Sequence, residues 1–233
     1  MKIGIIIPDR KDRPELLENC KRMIFSQIFS DKYFMEIKIV DFPPTDNEID
    51  ITKRYRIGYD YFRNRGFDCI LLMENDDFYS KNYIQTMVEE WILQGKPKLL
   101  GTNYTIYYHL GLRKYLKMRH DRRASAMNTL IVPDLDINWC PDSEPYTDLF
   151  LWRNIKGVTF KPKEIISIGI KHGTGLCGGN SHKNYLDRYR FDDPHFEFLH
   201  THMDTQSFKF YTEYAMSLNQ DNATPTIQIY PSL

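Results

Sequence analysis

The chain has 233 residues, a length that fits one domain with a large core. Its 31 Lys and Arg balance 31 Asp and Glu, so no global field argues for nucleic acid or membrane. No apolar run approaches the ~20 residues of a membrane span. Cys20, Cys69, Cys140 and Cys177 are widely spaced without a C-x-x-C pair, the pattern of free thiols in a reducing compartment. Met1-Lys2 runs directly into a strand without the regions of a signal peptide, so a cytoplasmic setting is expected (host cytoplasm if viral). Asn222-Ala223-Thr224 is a formal glycosylation sequon that this setting makes irrelevant.

Ile3 to Ile7 reads as a short buried strand ended by Pro8. Asp12, Pro14 and Glu15 form a capping box for a helix whose apolar face is Leu16, Cys20, Met23, Ile24 and Ile28. A second strand, Phe34 to Val40, ends at Asp41 before Phe42-Pro43-Pro44. Ile51, Tyr55, Tyr59 and Phe62 then share a helical face that Lys53, Arg54 and Arg56 avoid, and Gly66 ends that helix. After the strand Phe67 to Met73, Ser80 is the expected cap of a third helix, with Ile84, Met87, Val88, Trp91 and Ile92 inward. These three βα units predict an α/β fold with a Rossmann-like, parallel-stranded half over residues 1–97.

Residues 98–233 form the other half of what reads as a single domain, since no linker or repeat separates them. Lys98 to Leu110 and Leu112 to Met118 are expected to be strands around Gly111, and Met127 to Val132 another. Pro145 to Asn154 reads as a helix and Val158 to Ile170 as one or two strands. Lys171-His172-Gly173 then opens a glycine-rich loop ending near Asn180.

The chemistry concentrates where the apolar third strand stops at Glu74-Asn75-Asp76-Asp77. A carboxylate cluster at the carboxyl end of a parallel strand sits where open α/β sheets bind ligands. Mutual repulsion makes such carboxylates seek protons, hydrogen bonds or a cation, and oxygen ligands favour Mg²⁺ or Mn²⁺. The competing reading is a polar turn in which Asp77 or Ser80 merely caps the next helix.

The order of these parts resembles the nucleotide-binding half of GT-A fold glycosyltransferases, family 2 type, over residues 1 to about 95. The resemblance implies a mixed, mainly parallel central sheet fused to an acceptor-binding half. It implies that Pro8, Asp9 and Arg10 contact the nucleoside of a UDP-sugar, that Asp41 holds the base and that Asn75 lies at the ribose. Asp76 matches the carboxylate that binds Mn²⁺ or Mg²⁺, with Asp77 assisting through a water. Arg54 and Arg56 are expected at the diphosphate, or else as solvated helix charges. Several enzymes of this fold supply a late His to the metal, which points to His172, with His182 in reserve. Asp148 resembles the general base at the start of the acceptor-site helix, and the resemblance implies inversion at the anomeric carbon. Asp142 and Glu144 are rivals, and a plain N-cap is the bland alternative. The sequence departs from the family pattern at Phe42-Pro43-Pro44 and in lacking the first Asp of the acidic motif.

Tyr104, Tyr107, Tyr108, Tyr115 and the cations from His109 to Arg123 alternate in a way that stacks bases or sugars and binds phosphate, or forms an ordinary hairpin. This feature makes DNA carrying a hydroxymethylated pyrimidine an attractive acceptor, as in phage enzymes that glycosylate modified bases. Glycan, lipid or small-molecule acceptors remain alternatives. So do a sugar-phosphate nucleotidyltransferase, disfavoured because Pro8-Asp9-Arg10-Lys11-Asp12 lacks glycine, and a non-catalytic binding module. His195, His200 and His202 look like surface residues, with zinc at His200 and His202 a remote option.

Overall fold

The structure is a computed structural model that describes residues 1–44, 49–173 and 187–221. Cys177, His182, the remainder of the loop after Gly173 and the sequon lie outside the described residues. Strand β1 (Lys2–Asp9) is flanked by β2 (Phe34–Asp41) and β3 (Cys69–Leu72), both parallel to it. Strand β8 (Thr129–Ile131) runs antiparallel to β3 and to β5 (Leu99–Thr102), and β9 (Val158–Phe160) closes the far edge parallel to β5. Only β8 opposes the rest, so the central sheet, ordered β2-β1-β3-β8-β5-β9, is mixed but mainly parallel.

Alternation along β1 sends its side chains to both faces, as a strand covered on two sides requires. Ile3, Ile5 and Ile7 pack with residues of α1 (Pro14–Phe25), α3 (Tyr83–Leu93) and α6 (Thr205–Asp221). Ile6 faces Tyr55, Tyr59 and Phe62 of α2 (Ile51–Phe62), in a cluster that includes Leu151 and Trp152 of α4 (Thr147–Asn154). Gly58 permits the close approach of α2, because a Cβ there would lie 2.4 Å from Ile6 Cγ2.

A second sheet, β11-β7-β6-β10-β4, is built from β4 (Phe78–Tyr79), β6 (Tyr104–His109), β7 (Lys114–Arg119), β10 (Ser167–Lys171) and β11 (Phe191–Asp192), with α5 (Glu197–His202) packed on it. The strand expected over Lys98 to Leu110 is thus two strands in two sheets. Asn103 is the crossover: its N–H donates to Phe160 O and its C=O accepts from His120 N.

Two expected caps are absent. Arg13, not Asp12, stands at the N-cap of α1, without a side-chain cap bond. Asp12 instead accepts from Arg13 Nε at 3.2 Å. Helix α3 begins at Tyr83 rather than at Ser80, because Phe78 and Tyr79 pair with β10 and the Ser80 N–H donates to Ile166 O.

Candidate active site

The carboxyl ends of β1 and β3 open into a cavity of about 700 Å³. Its wall includes Pro8, Arg10, Arg13, Asn75, Asp76, Tyr107, Arg123, Asp148 and Lys171. The first loop and the acidic motif are tied together beneath it. Asn75 Nδ2 donates to Asp9 Oδ1 at 2.7 Å, while Asp9 Oδ2 accepts from Lys11 N at 3.2 Å. Buried Asp9 therefore orients Asn75, which does face the cavity.

Arg54 reaches the cavity wall, but its donors are engaged by the protein. Fully buried, it donates to Asp9 O, to Val40 O at 3.0 Å, to Phe42 O at 2.7 Å and to Asp50 Oδ2 at 2.8 Å. Its guanidinium also lies over the Phe42 ring. It fastens the ends of β1 and β2 and fixes the chain at Phe42. Arg56 pairs with Asp142 at 2.8 Å in a partly exposed contact and does not line the cavity. Asp41, in register with Asp9, is exposed beside Lys11 and is likewise off the cavity wall.

The acidic run bends back so that Glu74, Asp76 and Asp77 each bring an oxygen within 4.8 Å of the others. The Tyr79 hydroxyl accepts from Glu74 N at 2.7 Å, and the Tyr211 hydroxyl donates to Asp76 O at 3.2 Å. Asp77 Oδ1 accepts from Ile170 N at 2.7 Å, fastening β10 to the motif, whereas buried Asp77 Oδ2 has no hydrogen-bond donor among the described residues. Lys171, buried at the cavity wall, supplies compensating charge: burial opposes its ammonium, but Asp77, Glu74 and Asp76 hold its pKa raised. Burial pushes Glu74 up to about 7 against the pull of Lys171, and raises Asp77 well above the carboxylate range. Burial acts the same way on Asp76, yet the positive charges of Arg13 and Lys171 help outweigh it and keep that carboxyl low.

His172 is at the position its place after β10 predicts. Its Nε2 is 3.0 Å from Asp76 Oδ2 and 2.6 Å from Arg13 Nη1, and Arg13 Nη1 is itself 3.0 Å from Asp76 Oδ2. One imidazole nitrogen cannot accept from Arg13 and donate to Asp76 at once. With its lone pair toward Arg13, Nε2 and the carboxylate oxygen are two electron-pair donors converging on one positive group. That donor pair, next to the Glu74, Asp76 and Asp77 oxygen cluster, fits a divalent cation. Asp76 and His172 would hold the ion, with Glu74 at the cavity face.

Asp148 lies in the first turn of α4, where the helix dipole favours a carboxylate. Arg123 Nη1 donates to its Oδ2 at 2.6 Å. Burial lifts its pKa, and Arg123 only partly offsets that. Asp142 and Glu144 do not line the cavity.

The basic, tyrosine-rich segment is the β6–β7 hairpin, and Tyr108 and Tyr115 are engaged in packing. Tyr115 stacks on Phe198 at 4.0 Å and on Phe191 at 5.0 Å, and Tyr108 donates to Asp193 Oδ2 at 2.9 Å. Arg113 lies over Phe196, Lys114 pairs with Asp192 and Lys117 lies over Phe191. These are hairpin contacts, not a platform for bases. Tyr107, with Leu116 and Met118, faces the cavity instead. His200 and His202 pack on Phe208 and Phe198 and join no group of three potential ligands among the described residues.

Arg13, Lys171 and Arg123 were not singled out as site residues from sequence. Arg13 reads as part of a helix start, Arg123 as one cation among many, and Lys171 only as the neighbour of His172. No helix of the described residues is long and apolar enough to cross a membrane.

No protein-family model matches the chain, and no curated protein matches it. Solved structures do. S. aureus TarS 1–349 in complex with UDP-GlcNAc superposes with a TM-score of 0.51 at 12% identity, over 75% of this chain and 60% of that one. The complex of the same protein with UDP gives 0.50 at 12% identity, over 73% and 60%. The chain thus spans about three-fifths of the length of the solved structures it matches. At this identity the likeness speaks to architecture alone, and that architecture is the GT-A fold expected from the first half of the sequence.

Proposed function

We propose that this protein is a divalent-cation-dependent glycosyltransferase that moves a hexosyl unit from a UDP-sugar to an acceptor hydroxyl with inversion. The observation that carries the reading is one cavity whose wall holds both Asp76, with His172 Nε2 3.0 Å from its carboxylate, and the carboxylate of Asp148. The UDP and UDP-GlcNAc complexes of a protein with the same fold support the choice of donor.

In this reading Pro8, Arg10 and Asn75 bind the nucleoside end of the donor, with Asp9 holding Asn75 in place. A bound Mn²⁺ or Mg²⁺ would supply Lewis-acid stabilisation of the charge that develops on the departing diphosphate. Asp148 accepts the proton of the acceptor hydroxyl while that oxygen bonds to the anomeric carbon. The carbon–oxygen bond to the diphosphate breaks with its electron pair, and UDP leaves from the opposite face. Lys171 keeps the buried carboxylates near Asp76 charge-compensated throughout.

Tyr108 and Tyr115 of the hairpin pack on their neighbours, whereas Tyr107 and Arg123 of the same segment line the cavity. The reading favours a hydroxyl compound small or slender enough to enter beside Tyr107 and Asp148 over a hydroxymethylated pyrimidine in DNA. Thermal shift with UDP and Mn²⁺, together and singly, tests the donor half: stabilisation requiring both supports the transferase. Mass spectrometry of a UDP-sugar and acceptor panel, hydroxymethylated DNA included, tests the other half. Stabilisation by DNA alone, without a response to UDP, overturns the reading in favour of a binding module.

A further inference from the structure

Arg13 stands where the proposed cation has to go. Its Nη1 lies 3.0 Å from Asp76 Oδ2 and 2.6 Å from His172 Nε2, the same two atoms that would ligate the ion. A guanidinium and a divalent cation cannot both satisfy one pair of lone pairs, so one excludes the other. The guanidinium comes from the residue just before α1, makes no side-chain bond to the helix, and has Asp12 as a further partner at 3.2 Å. Arg13 itself lines the cavity that a diphosphate would enter.

We propose that Arg13 is the resident cation of the donor-free site and gives way only when cation and diphosphate arrive together. In the free protein it neutralises Asp76 and occupies the His172 lone pair, which keeps a bare divalent ion out. The planar fork of an arginine matches phosphate oxygens. A nucleoside diphosphate entering the cavity draws the guanidinium off and leaves Asp76 and His172 to the ion it brings. Arg13 thereby makes cation binding conditional on donor binding, a positioning and gating role that rests on the transferase reading above.

Manganese binding without any sugar measures this, by the loss of the free-ion electron paramagnetic resonance signal. Arg13→Gln is expected to bind Mn²⁺ at least about tenfold more tightly than wild type in the absence of nucleotide. UDP should then raise Mn²⁺ affinity much less in the variant than in wild type. Arg10→Gln removes a charge from the same cavity wall without touching Asp76, and is expected to change Mn²⁺ affinity less than about threefold. Asp76→Asn in the Arg13→Gln background should erase the gain. Arg13→Met, which keeps the apolar stem, serves if Arg13→Gln does not fold. Equal nucleotide-free Mn²⁺ affinity in wild type and variant, or an equal gain in Arg10→Gln, overturns the assignment of Arg13 alone. Absence of Mn²⁺ binding in every form, with and without UDP, overturns it together with the metal-dependent reading.

Discussion

A buried charge declares its role through its partners. Arg54 donates directly to the carbonyls of Asp9, Val40 and Phe42 and to Asp50. Removing one member of such a buried pair leaves the other uncompensated, which costs about 3–5 kcal/mol. Arg54→Ala is therefore expected to lower the urea midpoint strongly, and a midpoint within error of wild type would show that Asp50 finds another donor. Asp148 differs, because it faces the cavity. Asp148→Asn should retain UDP and Mn²⁺ binding while losing about 10²–10⁴-fold in turnover, read by single-turnover assay once an acceptor is found. Undiminished turnover would move the base elsewhere. His120 is a third case: burial, with Arg123 nearby, lowers its pKa to about 4, and its Nε2 lies 3.1 Å from Thr105 Oγ1. A depressed folded pKa means that the unfolded chain binds more protons between about 6.5 and 4. The neutral ring therefore contributes stability that is full above about 6.5 and drains as pH falls through that window. His120→Gln should flatten the wild-type loss of stability between pH 7 and pH 4.5, measured by denaturation at both pH values.

At the scale of elements, period and composition made the parallel half legible. Ile3, Ile5, Ile6 and Ile7 could only be a strand buried on both faces, and α2 follows from Tyr55, Tyr59 and Phe62 recurring on one side. What the sequence concealed was pairing over distance. Phe78 and Tyr79 carry no local sign that they will bond to β10, so Ser80 looks like a cap although its N–H is taken by Ile166. Asn103 sits inside an apparently continuous apolar and tyrosine-rich run, and only tertiary hydrogen bonds make it a crossover between sheets. The contact of α2 with β1 has little slack. Gly58→Ala places a methyl 2.4 Å from Ile6 Cγ2, so the helix must retreat from the strand. A loss of about 1–3 kcal/mol in chemical denaturation is expected from such overpacking. Wild-type stability in that variant would mean that α2 can slide without cost.

At the scale of the whole molecule, the two sheets meet at the cavity, and each supplies part of its chemistry. The parallel sheet delivers Asn75 and Asp76, and the second sheet delivers Lys171 and His172 at the end of β10, with Tyr107 on β6. The acidic motif was readable because an apolar strand ended in it. Its closing partners were less so: His172 needed a family resemblance, and Arg13 only the folded chain brings to Asp76. Alternating cations and rings in the aromatic hairpin look the same in sequence whether they line the cavity, as Tyr107 does, or pack on α5, as Tyr115 does. The account as a whole depends on Asp76 and His172 forming a cation site beside a diphosphate. Anomalous diffraction at the manganese edge, from crystals grown with UDP and Mn²⁺, tests that directly. The predicted result is one strong peak ligated by Asp76 Oδ2 and His172 Nε2 with the UDP diphosphate beside it and Arg13 displaced. UDP bound in the cavity with Arg13 still on both ligands and no peak there would contradict it.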